Sequence, residues 1–229
     1  ALDIPFCPAF DIQAVCTGFV YALSIADNLV TSGGANRVLV IGAEKMSSIL
    51  NWEDRTTCVL FGDGAGAIVI QAQDTEDDPK SKSARGVLSS HLYANGKLKD
   101  ILHVNGGPST TGLAGHIVME GKEVFRHAVQ LMSSVVAEAL EQNDLSADEI
   151  DWLVPHQANI RIIEGTAKKL NMPMEKVIVT VEKHGNTSAA SIPLAIDEAI
   201  RDGRLKQGDL VLLEALGAGL TWGAVMLRL

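Results

Sequence analysis

Residues 17–44 read TGFVYALSIADNLVTSGGANRVLVIGAE, and this stretch decides the fold. Phe19, Ala22, Leu23, Ala26 and Val30 recur at three- and four-residue spacing, the period of an amphipathic helix. Ser32, Gly33 and Gly34 break the pattern. Arg37 to Glu44 is then a short apolar run, read as a continuous buried strand. Residues 187–216, TSAASIPLAIDEAIRDGRLKQGDLVLLEAL, repeat the plan: a small-residue start, an amphipathic helix, a Gly-containing break and an apolar strand. Two such units imply sheets layered with helices and two related halves. The first half reads as incomplete, with part of it preceding residue 1.

Working outward, Thr57 to Ala72 (TCVLFGDGAGAIVIQA) reads as two strands folding back through a Gly-rich turn. Residues 73–85 are polar, charged and Pro-containing, and read as a surface connection. They divide the chain into units 1–72 and 86–229. The second unit opens on a strand, GVLSSHLYA, followed by a Gly/Pro loop from Asn95 to Gly115 and a helix from Met119 to Gln142. Ser146 to Glu149 is a capping-box pattern. A strand ends at His156, a helix runs to Leu170, and Lys176 to Asn186 reads as a strand. A helix from Ser188 and two strands close the chain.

Composition narrows the function. A net charge of −9 disfavours a nucleic-acid partner. Cys7, Cys16 and Cys58 are sparse and odd in number, which points to a reducing cytoplasm and not to a disulfide framework. The apolar runs fall far short of the ~20 residues of a membrane span. The opening ALDIPFCPAF carries no charged-then-apolar leader pattern. It lacks an initiator Met and enters in mid-element, so an N-terminal segment is expected to be missing.

Three reactive residues sit at element ends. Cys16 precedes the first helix, where free N–H groups and the positive dipole end are expected to lower the thiol pKa. The plain alternative is a buried cysteine acting as a small hydrophobe. His156 closes DWLVPH, and Asn186 lies in KHGNTSAAS before another helix. Taken singly, the His reads as a satisfied residue and the Asn as a cap. Strand ends of an open α/β sheet converge on one crevice. Together a cysteine, a histidine and an asparagine form a nucleophile with two polarising groups. FGDGAGA lacks the Lys and following helix of a phosphate loop and reads as a tight turn.

VCTGF, FGDGAGA, DWLVPHQANIRI, KHGNTSAASIP and GAGLTWGA, in this order, closely resemble β-ketoacyl-acyl carrier protein synthase III. This resemblance runs from end to end and implies a thiolase-like fold, layered α-β-α-β-α from two pseudo-repeated halves. It implies that about 95 residues of the family pattern precede this chain. It implies decarboxylative condensation of an acyl-coenzyme A, acetyl-coenzyme A by analogy, with malonyl-acyl carrier protein. The expected partners are these two substrates and a second copy in a homodimer, with no cofactor and no metal.

By the same resemblance Cys16 takes the acyl group, while His156 and Asn186 hydrogen-bond the malonyl thioester oxygen. The oxyanion donors are the backbone N–H groups of Cys16 and Ala218. The family turn there is a run of glycines, so the methyl of Ala218 requires a negative φ. Arg55, Phe61, Met119, Gly121, Phe125, Ala158 and Asn159 match substrate-binding positions. Arg126, Arg161, Lys168 and Lys169 match a docking patch for the acidic carrier protein. Asn186, where elongating synthases carry a second His, points to the initiating type. Two other readings are a Cys-His-Asn thioester hydrolase and a catalytically incompetent fragment. A degradative thiolase is disfavoured, because residues 214–222 hold no second cysteine.

Overall fold

A computed structural model describes residues 2–73 and 84–229. The expected connection at 73–85 therefore lies almost wholly outside the described residues. Four layers stack in the order sheet, helices, sheet, helices. The first is an antiparallel pair, β1 (Arg37–Glu44) and β2 (Gly64–Gln71). The third is a four-stranded sheet of β3 (Gly86–Ala94), β8 (Thr221–Arg228), β7 (Leu210–Gly217) and β6 (Trp152–Pro155), in that spatial order. β6 and β7 are parallel and the other pairs antiparallel. A small ribbon of β4 (Leu102–Val104) and β5 (Ile117–Met119) stands apart.

Between the two sheets lie α1 (Gly18–Thr31) and α5 (Ser191–Arg201), the helices of the two repeated units. Their apolar stripes, Phe19, Leu23 and Ala26 on one and Ile192, Ala195 and Ala199 on the other, fill the core between the sheets. α2 (Gly121–Gln142) and α3 (Ile160–Lys169) cover the opposite face of the large sheet. Strand alternation sorts the residues of β7 between these layers. Val211, Leu213 and Ala215 face the middle helices, while Leu210, Leu212 and Leu216 face α2 and α3. Among the described residues no helix is long and apolar enough to cross a membrane.

Several expected elements differ. Residues 57–60 are turns and not a strand, so the single strand here is β2, and Cys58 sits in a turn. Backbone bonds from Thr57, Cys58 and Leu60 back to Asp54 and Thr57 close this stretch on itself. β1 is half-open where a buried strand was expected: Val40 is buried, but Ile41 is 57% exposed. The stretch after Ile178 is not a strand. The fully buried Gln157 accepts the N–H groups of Thr180 and Val181 at 2.8 and 3.1 Å, donors a ladder would need. The chain turns instead into α4 (Val181–His184). α2 starts at Gly121, because Ile117–Met119 pairs with β4. The capping box holds, with the Ser146 N–H donating to Glu149 at 2.8 Å.

Candidate active site

Cys16 occupies a one-turn 3₁₀ segment, Val15–Thr17, that leads into α1. Val15 has φ +50, a costly conformation for a β-branched residue and one that clusters at functional turns. The turn is fixed to the β7–β8 hairpin. The Thr17 hydroxyl donates to the Thr221 carbonyl, and the Thr221 hydroxyl to the Ala14 carbonyl, both at 3.0 Å. At the end of β7, Gly217 comes so close that a Cβ would stand 2.9 Å from the Ala14 oxygen and the Cys16 nitrogen. Only glycine fits there.

His156 follows β6 directly, its N–H donating to the Glu214 carbonyl at 2.7 Å. Its Nδ1 lies 2.7 Å from the Ser191 hydroxyl at the start of α5. A hydroxyl both donates and accepts, so Ser191 supports either neutral tautomer and leaves Nε2 for the cavity. Asn186 is anchored through its backbone: its N–H donates to the Leu60 carbonyl at 2.8 Å and its carbonyl accepts from Gly62 at 3.0 Å. Its side-chain Oδ1 accepts the Ser188 N–H at 2.9 Å, which leaves the Nδ2 protons for a ligand.

These three residues line one cavity of about 780 Å³. Its wall is mainly apolar, with Leu60, Leu102, Ala128, Met132 and Leu216 among the contributors. Phe61, Met119, Gly121, Phe125, Ala158 and Asn159 line it as expected. Asn159 also caps α3, accepting the Ile162 N–H at 3.0 Å. Arg55 is exposed and does not line the cavity, whereas the adjacent Thr56 does. Lys122 and Arg161 add positive charge to the lining, and neither is ion-paired among the described residues. Ala218 lies outside the left-handed region, as its methyl requires. Among the described residues its N–H and that of Cys16 are taken up by no turn or loop partner.

The docking residues are not one uniform patch. Arg161, Lys168 and Lys169 are exposed along α3, with the exposed Glu164 between them. Arg126 on α2 is ion-paired with Glu123. Among the described residues no group of three or more His, Cys, Asp or Glu could hold a metal ion.

The electrostatics reverse one expectation. Burial pushes the Cys16 thiol up to about 11, with the negative charge of Glu44 acting in the same direction. Desolvation outweighs the helix terminus, so Cys16 rests as a thiol. Burial also holds His156 down at about 4, so its imidazole is neutral at physiological pH. Sequence reading missed Ser191, Ser188, Gln157, Thr17 and Thr221, which fix the three reactive groups. Apart from the small residues opening the 187–216 repeat, the sequence carried no signal for them.

A cysteine on a strained turn, sharing one cavity with a His at a strand end and an Asn in the turn after α4 of a layered α/β fold, defines a thiolase-like acyltransferase. Comparison narrows the class. Residues 10–96 match the family model of 3-oxoacyl-[acyl-carrier-protein (ACP)] synthase III, and residues 140–229 match that of its C-terminal part. Over 227 residues the chain is 59% identical to the beta-ketoacyl-[acyl-carrier-protein] synthase III of Sphingopyxis alaskensis, covering 99% of this chain and 69% of that one. With the enzyme of the same name from Paramagnetospirillum magneticum it shares 62% over 221 residues, 96% of this chain and 67% of the other. The crystal structure of 3-oxoacyl-[acyl-carrier-protein] synthase III from Aquifex aeolicus superposes with a TM-score of 0.90 at 49% identity, covering 98% of this chain and 68% of that one. The chain belongs to the 3-oxoacyl-[acyl-carrier-protein] synthase III family. It spans about two thirds of the length of these relatives.

Proposed function

We propose that this chain condenses an acyl-coenzyme A, acetyl-coenzyme A in the first instance, with malonyl-acyl carrier protein, losing carbon dioxide and starting fatty acid synthesis. The observation that carries the residue roles is the convergence of Cys16, His156 and Asn186 on one largely apolar cavity. In the first half-reaction Cys16 must lose a proton, because its thiol titrates near 11. His156 Nε2 takes it while the sulfur attacks the thioester carbon. Collapse of the tetrahedral intermediate expels the coenzyme A thiolate, which takes the proton from the imidazolium. A histidine pushed down to about 4 returns that proton readily.

In the second half-reaction the malonyl carboxylate leaves as carbon dioxide, and its bonding pair moves onto the thioester oxygen. Between the half-reactions the neutral imidazole exchanges its proton from Nδ1 to Nε2 through solvent, and the Ser191 hydroxyl turns from acceptor to donor at Nδ1. His156 Nε2–H and Asn186 Nδ2–H then donate to that oxygen, where the charge develops. The enolate carbon attacks the acyl carbon on Cys16, and the Cys16 and Ala218 N–H groups face the new oxyanion. Collapse returns the Cys16 thiolate, which takes one proton from solvent.

The same reading takes 1–72 and 86–229 as two pseudo-repeated units. It places the working enzyme in the cytoplasm as a homodimer without a cofactor, and docks the carrier protein on α3. Turnover with acetyl-coenzyme A and malonyl-acyl carrier protein is the test. The expected product is β-ketoacyl-acyl carrier protein with one carbon dioxide per coenzyme A released. Free acetate would identify a hydrolase, and no turnover an incompetent chain.

A further inference from the structure

Asn186 can serve the malonyl thioester only while its amide keeps one orientation, and that orientation is held from β1. An amide has a donor end and an acceptor end of nearly the same shape. The Oδ1 of Asn186 accepts the Ser188 N–H at 2.9 Å, which keeps Nδ2 as the end free to donate into the cavity. A flipped amide would set its oxygen against the charge that develops on the thioester oxygen and raise the barrier.

Ser188 makes its bond from φ +49, a conformation that costs energy for any residue but glycine. Such a residue stays in place only where its surroundings hold it. Two restraints are steric, because β1 and β2 press on the turn with glycines. A Cβ at Gly42 would stand 2.4 Å from the Ala189 oxygen, and one at Gly64 2.9 Å from Thr187 Cγ2. The third is polar. Glu44, the half-buried last residue of β1, accepts the Ser188 hydroxyl at 3.1 Å and the Ala189 N–H at 3.3 Å. Both bonds land on Oε1, so one oxygen fixes the Ser188 side chain and the backbone that follows it. Bonds to a carboxylate are stronger than those between neutral groups, which suits an acceptor that must hold a strained residue.

We infer that Glu44 is a positioning residue for Asn186: by holding the Ser188–Ala189 turn it keeps the amide N–H groups, and not the amide oxygen, towards the malonyl thioester. This rests on Asn186 donating to the thioester oxygen in the condensation.

The test scores the two half-reactions separately in the unaltered protein, Glu44→Ala, Glu44→Gln, Asn186→Ala and the double variant Glu44→Ala with Asn186→Ala. Coenzyme A released from acetyl-coenzyme A in a single turnover scores acylation. Carbon dioxide released from saturating malonyl-acyl carrier protein scores the step that Asn186 serves. Glu44→Ala is expected to slow carbon dioxide release about tenfold, the cost of a misplaced donor, with acylation retained. Glu44→Gln offers an amide oxygen to the same two donors and is expected to stay within about threefold of the unaltered protein. With Asn186 already Ala, Glu44→Ala is expected to add nothing, because no amide is left to orient. Unchanged carbon dioxide release, equal losses in both half-reactions, no rescue by Gln, or the same tenfold loss in the Asn186→Ala background overturns the inference. Should Glu44→Ala fail to unfold cooperatively, Ser188→Ala decides. It removes one of the two bonds to Glu44 and is expected to slow carbon dioxide release about threefold, but only while Asn186 is present. No slowing, or the same slowing without Asn186, overturns the inference. An Asn186→Ala protein that decarboxylates at the full rate contradicts the proposed function itself, whereas an inactive Asn186→Ala beside a fully active Glu44→Ala contradicts only the role of Glu44.

Discussion

Glu214→Gln isolates a buried acid at the centre of the large sheet. Glu214 lies between Leu212 and Leu216 on β7, fully buried, and neither carboxyl oxygen has a hydrogen-bond partner among the described residues. Burial raises it from the usual 4.5 to about 8, so the folded protein holds the neutral acid. The unfolded chain ionises near 4.5, and between these values the folded state binds more protons. Its contribution is therefore intact below about pH 4.5 and is lost as pH rises towards 8. A gap of about 3.5 pH units at about 1.4 kcal/mol each comes to about 5 kcal/mol. Gln has no such titration. The stability of Glu214→Gln relative to the unaltered protein should rise by about that amount between pH 4.5 and 8, or roughly 10 °C or more in midpoint temperature for a chain of this size. His156, pushed the other way, titrates in both proteins and cancels from the difference. Urea unfolding at half-unit pH steps reads the effect. A stability difference that is constant from pH 5 to 8 would refute the claim that Glu214 is a buried neutral acid.

Other perturbations reach the site directly. Gly217→Ala sets a methyl against the Cys16 nitrogen and should cut acylation at least tenfold with the fold retained, measured by single-turnover release of coenzyme A. His156→Ala should lose both half-reactions at pH 7. Its acylation alone should recover as pH rises towards the Cys16 value of about 11, which a pH–rate profile would show. Asn186→Ala should keep acylation and lose malonyl decarboxylation by about a hundredfold, scored as carbon dioxide release. Reversing Lys168 and Lys169 to Glu should raise KM for malonyl-acyl carrier protein at low salt, less so at high salt, and leave acetyl-coenzyme A kinetics unchanged.

How far the sequence could be read depended on whether a residue's role is local. α1 and α5 were legible because the apolar spacing of Phe19 to Val30 and Ile192 to Ala199 is set by one helix at a time. Cys16, His156 and Asn186 were legible as element ends, and all three line the cavity. What escaped was decided by partners distant in the chain. Residues 177–181 (VIVTV) are apolar enough for a strand, but Gln157 takes two of their donors. Leu39 and Ile41 belong to an apolar run, yet only one face of β1 meets a helix, and both are exposed. The direction of the Cys16 pKa was misjudged for the same reason. A helix start is visible locally, whereas the burial that overrides it comes from β7, β8 and the 188–190 turn closing over the thiol. Ser191 and Ser188 read as small residues opening a helix, and their hydroxyl contacts to His156 and Glu44 exist only in the folded chain.

Where the acyl group goes decides most directly whether Cys16 is the nucleophile. Incubation with acetyl-coenzyme A alone, followed by peptide mass spectrometry, reads that without the carrier protein. One acetyl group on the peptide carrying Cys16, removed when malonyl-acyl carrier protein is added and recovered in the β-ketoacyl product, is the predicted result. An acetyl group on Cys58 or Cys7 with Cys16 free, or an acetyl-Cys16 that malonyl-acyl carrier protein leaves in place, would contradict it.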